Sequence, residues 1–162
     1  LGDEVALALA PTTNASFTPQ IQQELLSRIT ARKQELVVTD SALERELDSV
    51  DSHLGTVNSV VKWLVEADET LLSEHGFSAL QTRHERLDEF RQMCIERTES
   101  RQELLAATTS QSGQVGVSHR GLVESLYDDF PVDHPMLTTT GRLLDVCDEA
   151  QRSVRAHLVR RA

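Results

Sequence analysis

The stretch LERELDSVDSHLGTVNSVVKWL, residues 43–64, decides the fold. Its large aliphatic residues stand at Leu43, Leu47, Val50, Leu54, Val57, Val61 and Leu64, in alternating steps of four and three. Side chains so spaced share one stripe of an α-helix, and a stripe repeating every seven residues is the a/d seam by which helices pack lengthwise. The period reaches upstream through Ile29 and Leu36. The pattern predicts an all-α protein, an elongated antiparallel helical hairpin or bundle with a coiled-coil-like seam. It also predicts that Leu47, Leu54 and Val57 are buried where helices meet. Lys33 and Asp40 fall on a positions of this seam, where a charge weakens packing and either specifies alignment or marks a change of partner helix.

Working outward, Thr18 can cap the first free N–H groups and Pro19 suits the first helical position, where its missing N–H costs nothing. The first helix therefore runs from Pro19 to about Glu66. Ser41 with Glu44 spells a capping box near Thr39-Asp40-Ser41. Yet Leu36 and Leu43 keep their seven-residue phase, which favours one continuous helix. Residues 67–77 turn the chain, with Leu71, Leu72 and Phe77 expected to plug the open end and His75-Gly76 closing a short helical turn. A second helix spans about Ser78 to Thr108, with Leu80, Leu87, Phe90, Cys94, Leu104 and Leu105 toward one side. Arg97 and Arg101 sit among Glu96, Glu99 and Glu103 in the mixed-sign pattern of a solvated face. Residues 19–108 thus form a long hairpin.

The glycines and polar residues of 110–117 mark a flexible loop. Ser118 can cap a short helix carrying Leu122, Val123, Leu126 and Tyr127, which Phe130-Pro131 ends. A last helix opens on His134-Pro135 and is expected to bury Leu137, Thr140, Leu144, Cys147, Val154 and Leu158. It is expected to pack on the stretch of the first helix that the second leaves uncovered. Residues 1–16 read as the tail of an upstream apolar helix, Val5 to Ala10, followed by a loop, so that the bundle domain occupies 17–162 and its C-terminal helices 118–161. No strand pattern competes.

Composition narrows the function classes. There are 26 Asp and Glu against 16 Lys and Arg, a formal charge of −10. Only Lys33 and Lys62 are lysines. Few Lys beside many Asp, Glu, Val and Thr suggest a GC-rich genome, and the acidity suits a protein kept soluble in concentrated salt, where repulsion is screened within about 3 Å at 1 M. An ordinary acidic bacterial protein is the rival reading. Direct nucleic-acid binding would need a basic footprint that this chain lacks. No apolar run reaches the length of a membrane span. Cys94 and Cys147 are too few for a secreted disulfide framework, which leaves the cytoplasm as the default location.

Four residues are candidates for metal binding: His84, Cys94, Cys147 and His157. Each His stands ten residues from a Cys, about 15 Å along a helix, so neither pair can chelate on its own. A site requires Cys94 and Cys147 to face each other with a His brought in from elsewhere. Small thiols buried on apolar helix faces are the simpler reading. The carboxylates of Asp128, Asp129, Asp145, Asp148 and Glu149 lack the Glu-x-x-His spacing of a di-iron bundle and read as solvated surface. Ser110, Ser112 and Ser118 near His119 do not make a triad by adjacency. Trp63 adjoins the seam and flanks the core, while Arg152, Arg155, Arg160 and Arg161 complement the dipole of the last helix.

Phe17-Thr18-Pro19, His84-Glu-Arg-Leu-Asp88, Phe130-Pro-Val-Asp-His-Pro135, Cys147-Asp-Glu-Ala-Gln-Arg152 and His157-Leu-Val-Arg-Arg161 resemble an uncharacterised family of haloarchaeal helical proteins. The resemblance covers most of 17–162. It implies a helical fold, a haloarchaeal source and a further helical region upstream, and it carries over no functional residue.

These readings converge on a non-catalytic interaction, scaffold or regulatory module in a halophilic cytoplasm, without cofactor. Its partner would be another protein or a further copy of the chain, met through helical surfaces. The rival is a small metal- or ligand-binding bundle using Cys94, Cys147 and a nearby His. A transcription-associated factor reaching DNA through a partner is a third reading, disfavoured by charge.

Overall fold

The computed structural model describes residues 18–106 and 119–161. These residues form four α-helices and one 3₁₀ turn, and no strand occurs among them. Helix α1 (Pro19–Asp68) is followed by the 3₁₀ turn (Leu72–Glu74), α2 (Phe77–Ala106), α3 (His119–Leu126) and α4 (Pro135–Val159). The expected apolar tail at 1–16, the expected loop at 110–117 and the expected cap Ser118 lie outside the described residues.

Helix α1 is one uninterrupted element of 50 residues, about 75 Å long at 1.5 Å per residue. Thr18 Oγ1 accepts from the Ile21 N–H at 3.3 Å, and Pro19 follows as the first helical residue. The capping box near Ser41 is not used, because the heptad phase holds through it. At the other end α4 opens with Pro135 after His134, as its sequence predicts.

The tightest pairing in the molecule is between α2 and α4, whereas the sequence reading placed the last helix on α1. The two run antiparallel: Arg91 binds Asp148, and Gln151 Nε2 donates to the His84 carbonyl at 3.5 Å and to Asp88 Oδ1 at 3.4 Å. Leu80, Leu87, Phe90 and Cys94 from α2 and Leu143, Cys147 and Val154 from α4 form the core, joined by Val60 from α1. Trp63 closes its edge, with its ring 5.4 Å from that of Phe90 in a T-shaped contact. The physical reason for the correction lies in α4 itself: Leu143, Cys147, Gln151 and Val154 recur at three and four, matching the spacing of Leu87, Phe90 and Cys94. Leu137, Leu144 and Leu158, expected in the core, are half-buried at its margin.

The second correction concerns α1. Its buried residues are Ala42, Glu46, His53, Thr56 and Val60, one position before each of Leu43, Leu47, Leu54, Val57 and Val61. The buried stripe is therefore turned about 100° from the apolar seam. Leu47 and Leu54, expected inside, are 64% and 51% exposed, and Val57 is half-buried. Similarly, Leu71 and Phe77 do not plug the turn between α1 and α2 but face solvent, and only Leu72 packs against the core. The turn is tied instead by Arg161, whose guanidinium donates to the carbonyls of Ser73 and His75. This arginine holds the far end of the chain rather than merely complementing a helix dipole.

Candidate functional site

On the buried stripe of α1, the Glu46 carboxylate gathers donors from the rest of the chain. Glu46 Oε2 accepts from Arg101 Nη1 at 2.7 Å and from His119 Nε2 at 3.1 Å. Glu46 Oε1 accepts from Arg101 Nη2 at 2.8 Å and from the Tyr127 hydroxyl at 2.8 Å. Arg101 Nη1 also reaches Ser49 Oγ at 3.2 Å. Three helices meet here, α1 through Glu46 and Ser49, α2 through Arg101, and α3 with the turn after it through His119 and Tyr127. Arg101, which the sequence pattern assigns to a solvated face, is 3% exposed. Helix α3 is only 8 residues long, and the bonds to Glu46 give it a fixed position that its few apolar contacts would not.

The electrostatics of the cluster follow from burial and pairing. Burial acts to raise the pKa of Glu46, but hydrogen bonds from Arg101 and Tyr127 and the nearby positive charge outweigh it, and the carboxyl is held below its ordinary range. For His119 the balance falls the other way: burial, helped by the charges of Arg101 and Arg45, lowers its pKa despite the attraction of Glu46. The neutral ring donates through Nε2, and its buried Nδ1 finds no hydrogen-bond partner among the described residues. Burial and the bond to Glu46 push the Tyr127 phenol up to about 12. Two turns along α1, His53 donates through Nδ1 to the Ser49 carbonyl at 3.1 Å, and burial lowers its pKa too.

This arrangement bears on chemistry. Both oxygens of Glu46 already accept two hydrogen bonds, so the carboxylate has no lone pair free for a metal or for a substrate proton. Its work is to fix three helices against one another.

The four candidate ligands are not brought together. Cys94 and Cys147 share the core, each fully buried and unpaired by disulfide. Burial raises the pKa of Cys94. It pushes that of Cys147 up to about 11, with the neighbouring Cys94 and Asp148 adding to the effect. High pKa and burial are the reverse of what a thiolate ligand or nucleophile requires. His157 donates through Nδ1 to the Ser153 carbonyl at 3.0 Å, and His84 offers its backbone carbonyl to Gln151. Among the described residues no group of three or more His, Cys, Asp or Glu is placed to hold a metal. Asp128, Asp129, Asp145 and Glu149 are exposed as expected, while Asp148 pairs with Arg91.

Two surface features remain. The first is an open groove of about 640 Å³ between the end of α1, the turn after it, α2 and α4, with Trp63, Leu72, Val146, Ala150 and His157 among its walls. The second is the apolar stripe of α1. Ile29, Leu36, Leu47, Leu54 and Val61 are all exposed, with Leu43, Val50, Val57 and Leu64 half-buried between them. Leu26, Val37 and Val65 extend it on either side. None of residues 19–41 is buried. The stripe is apolar along its length except at Lys33 and Asp40. Sequence reasoning found these residues through their period but assigned them to the wrong side of the helix.

The chain belongs to a family described as a domain of unknown function, DUF7260, whose model matches residues 1–151. No curated protein and no solved structure matches it. No helix among the described residues is long and apolar enough to cross a membrane.

Proposed function

We propose that this member of the family is a non-catalytic helical interaction module, acting as a scaffold or regulator through the exposed stripe of α1. The observation that carries the reading is that stripe: a heptad seam in which Ile29, Leu36, Leu47, Leu54 and Val61 are exposed while the residues one position earlier in its C-terminal part are buried. Helices owe most of their stability in proteins to a packed apolar face. Residues 19–41 bury no side chain within the chain, so a partner would supply that packing. The saturated Glu46 and the buried thiols support the reading by leaving few groups for chemistry.

The test is a photo-crosslinking residue at Leu54, compared with the same residue at exposed Gln92, in living host cells. Discrete protein adducts from position 54 alone are expected, and they should vanish when Leu36→Glu is added. Adducts from both positions, or from neither, would sink the reading.

The setting proposed for this module is a halophilic cytoplasm, supported by the net charge of −10 and the scarcity of lysine. With repulsion screened by salt, the melting temperature should fall on transfer from 2 M to 0.1 M KCl. An unchanged value would remove the main physical support for a halophilic source.

The second reading, a ligand-binding bundle, now rests on the groove beside Trp63 and His157 rather than on Cys94 and Cys147. Native mass spectrometry of protein purified from its host would decide it, since a retained small molecule or zinc would be seen directly.

A further inference from the structure

We infer that the occupant of the exposed α1 stripe is a second copy of the same chain, running antiparallel, so that the protein is a homodimer held by a two-helix coiled coil. The inference rests on the interaction reading above and names its partner.

The stripe is self-complementary when the helices oppose. About a two-fold axis near residue 45, every a layer of one helix faces a d layer of the other. Leu36 then meets Leu54, Ile29 meets Val61, Leu43 meets Leu47 and Leu26 meets Leu64. Each exposed leucine, isoleucine or valine of the seam has an apolar counterpart. Lys33 and Asp40 face Val57 and Val50 at the half-buried edge, where the lysine stem can lie along apolar surface with its ammonium in water. A parallel pair would instead stack Lys33 on Lys33 and Asp40 on Asp40, placing like charges in two successive a layers of one seam. The charges thus select the orientation.

Geometry allows it. The residues buried within the chain occupy the stripe through Ala42, Glu46, His53, Thr56 and Val60, about 100° around the helix from the a/d seam. A second copy can therefore lie over the exposed row of Ile29, Leu36, Leu47, Leu54 and Val61, with Val57 and Leu64, which pack against the chain's own core, forming the inner edge of the contact. The pairing would also cover residues 19–41, which bury nothing within the chain, with the partner's segment from residue 49 onward. A contact roughly 60 Å long and about 10 Å wide covers on the order of 600 Å² per chain, or about 1,200 Å² in total, at the lower edge of stable specific interfaces. Both copies carry a formal charge of −10, so pairing should strengthen with salt.

Sedimentation equilibrium of the full chain at 5–100 µM in 2 M KCl is the test. Twice the chain mass of 18.1 kDa is expected. The double variant Leu36→Glu/Leu54→Glu should sediment at the single-chain mass with its helical circular dichroism retained, because both side chains are solvent-facing in the isolated chain. Under mild oxidation, a mixture of Ile29→Cys and Val61→Cys chains should cross-link, while neither variant alone should do so. Wild-type protein at the single-chain mass at 100 µM would overturn the proposal, as would a double variant that stays dimeric or Ile29→Cys cross-linking by itself. The Leu54 photo-crosslink separates the two failures. Adducts to a different protein would refute the second copy and leave the interaction reading standing, whereas the absence of any adduct would remove both.

Discussion

Two stripes of one helix carry opposite surprises. The stripe of α1 through Glu46, His53 and Thr56 is polar and buried, while the stripe through Leu47, Leu54 and Val61 is apolar and exposed. They lie about one residue apart in register on the same backbone. Burial here follows satisfaction rather than hydrophobicity alone: Glu46 can be inside because Arg101, His119 and Tyr127 supply four hydrogen bonds. Without those donors the carboxylate would have to stay in water. The leucines can be outside because exposing them is unfavourable but not forbidden, and a partner can cover them later.

The largest expected effect breaks the polar stripe. Arg101→Ala leaves the Glu46 charge buried with too few donors and should destabilise the fold by about 3–5 kcal/mol. Replacing the pair together, as Glu46→Leu/Arg101→Met, should recover only part of that loss, since the buried charge is gone but His119 and Tyr127 lose their acceptor. Chemical denaturation in one fixed salt compares the two, and a single variant as stable as wild type would refute the cluster as a structural lock.

Truncation sharpens the comparison next. Val60 is wholly buried, and Val60→Ala should cost about 2 kcal/mol in lost burial and cavity.

Acidification probes the same side of the helix without mutation. Glu46, His53 and His119 all have folded-state pKa values below their ordinary ones. For each, the unfolded chain takes up a proton first as pH falls, so the stability they contribute is present at neutral pH and lost on acidification. The loss should begin as pH drops through about 6.5, the ordinary histidine value, and deepen near 4.5 as Glu46 joins. His119→Gln together with His53→Gln should flatten the upper part of the melting temperature profile. A double variant with the wild-type profile between pH 7 and 5.5 would contradict the assignment.

The smallest effect belongs to the apolar stripe. At a concentration low enough to separate chains, Leu54→Ala should change unfolding free energy by no more than about 0.5 kcal/mol, as befits a solvent-facing position. A cost of several kcal/mol under those conditions would mean that the leucine is buried within the chain after all.

What the sequence determined by itself is local. The seven-residue period, Thr18-Pro19, His134-Pro135 and the absence of any alternating apolar pattern were enough for the helices, their starts and the continuity of α1 through Ser41. These depend on bonds and contacts within a few residues of each other. The spacing of Leu87, Phe90 and Cys94 likewise marked a core face correctly, and the thiols proved buried as their apolar neighbours implied.

The tertiary structure decided which face goes inward. Periodicity reports where apolar residues lie around a helix, not how many neighbours that helix has or on which side they stand. Glu46 gave no signal in the sequence because its donors lie 55, 73 and 81 residues away in the chain, and Arg101 looked solvated because Glu99 and Glu103 are near in sequence while Glu46 is near only in space. The same limit placed the last helix against α1. Helices α2 and α4 carry matching rows of small and branched residues, and only when the chain is folded do those rows meet and leave the heptad seam of α1 facing outward.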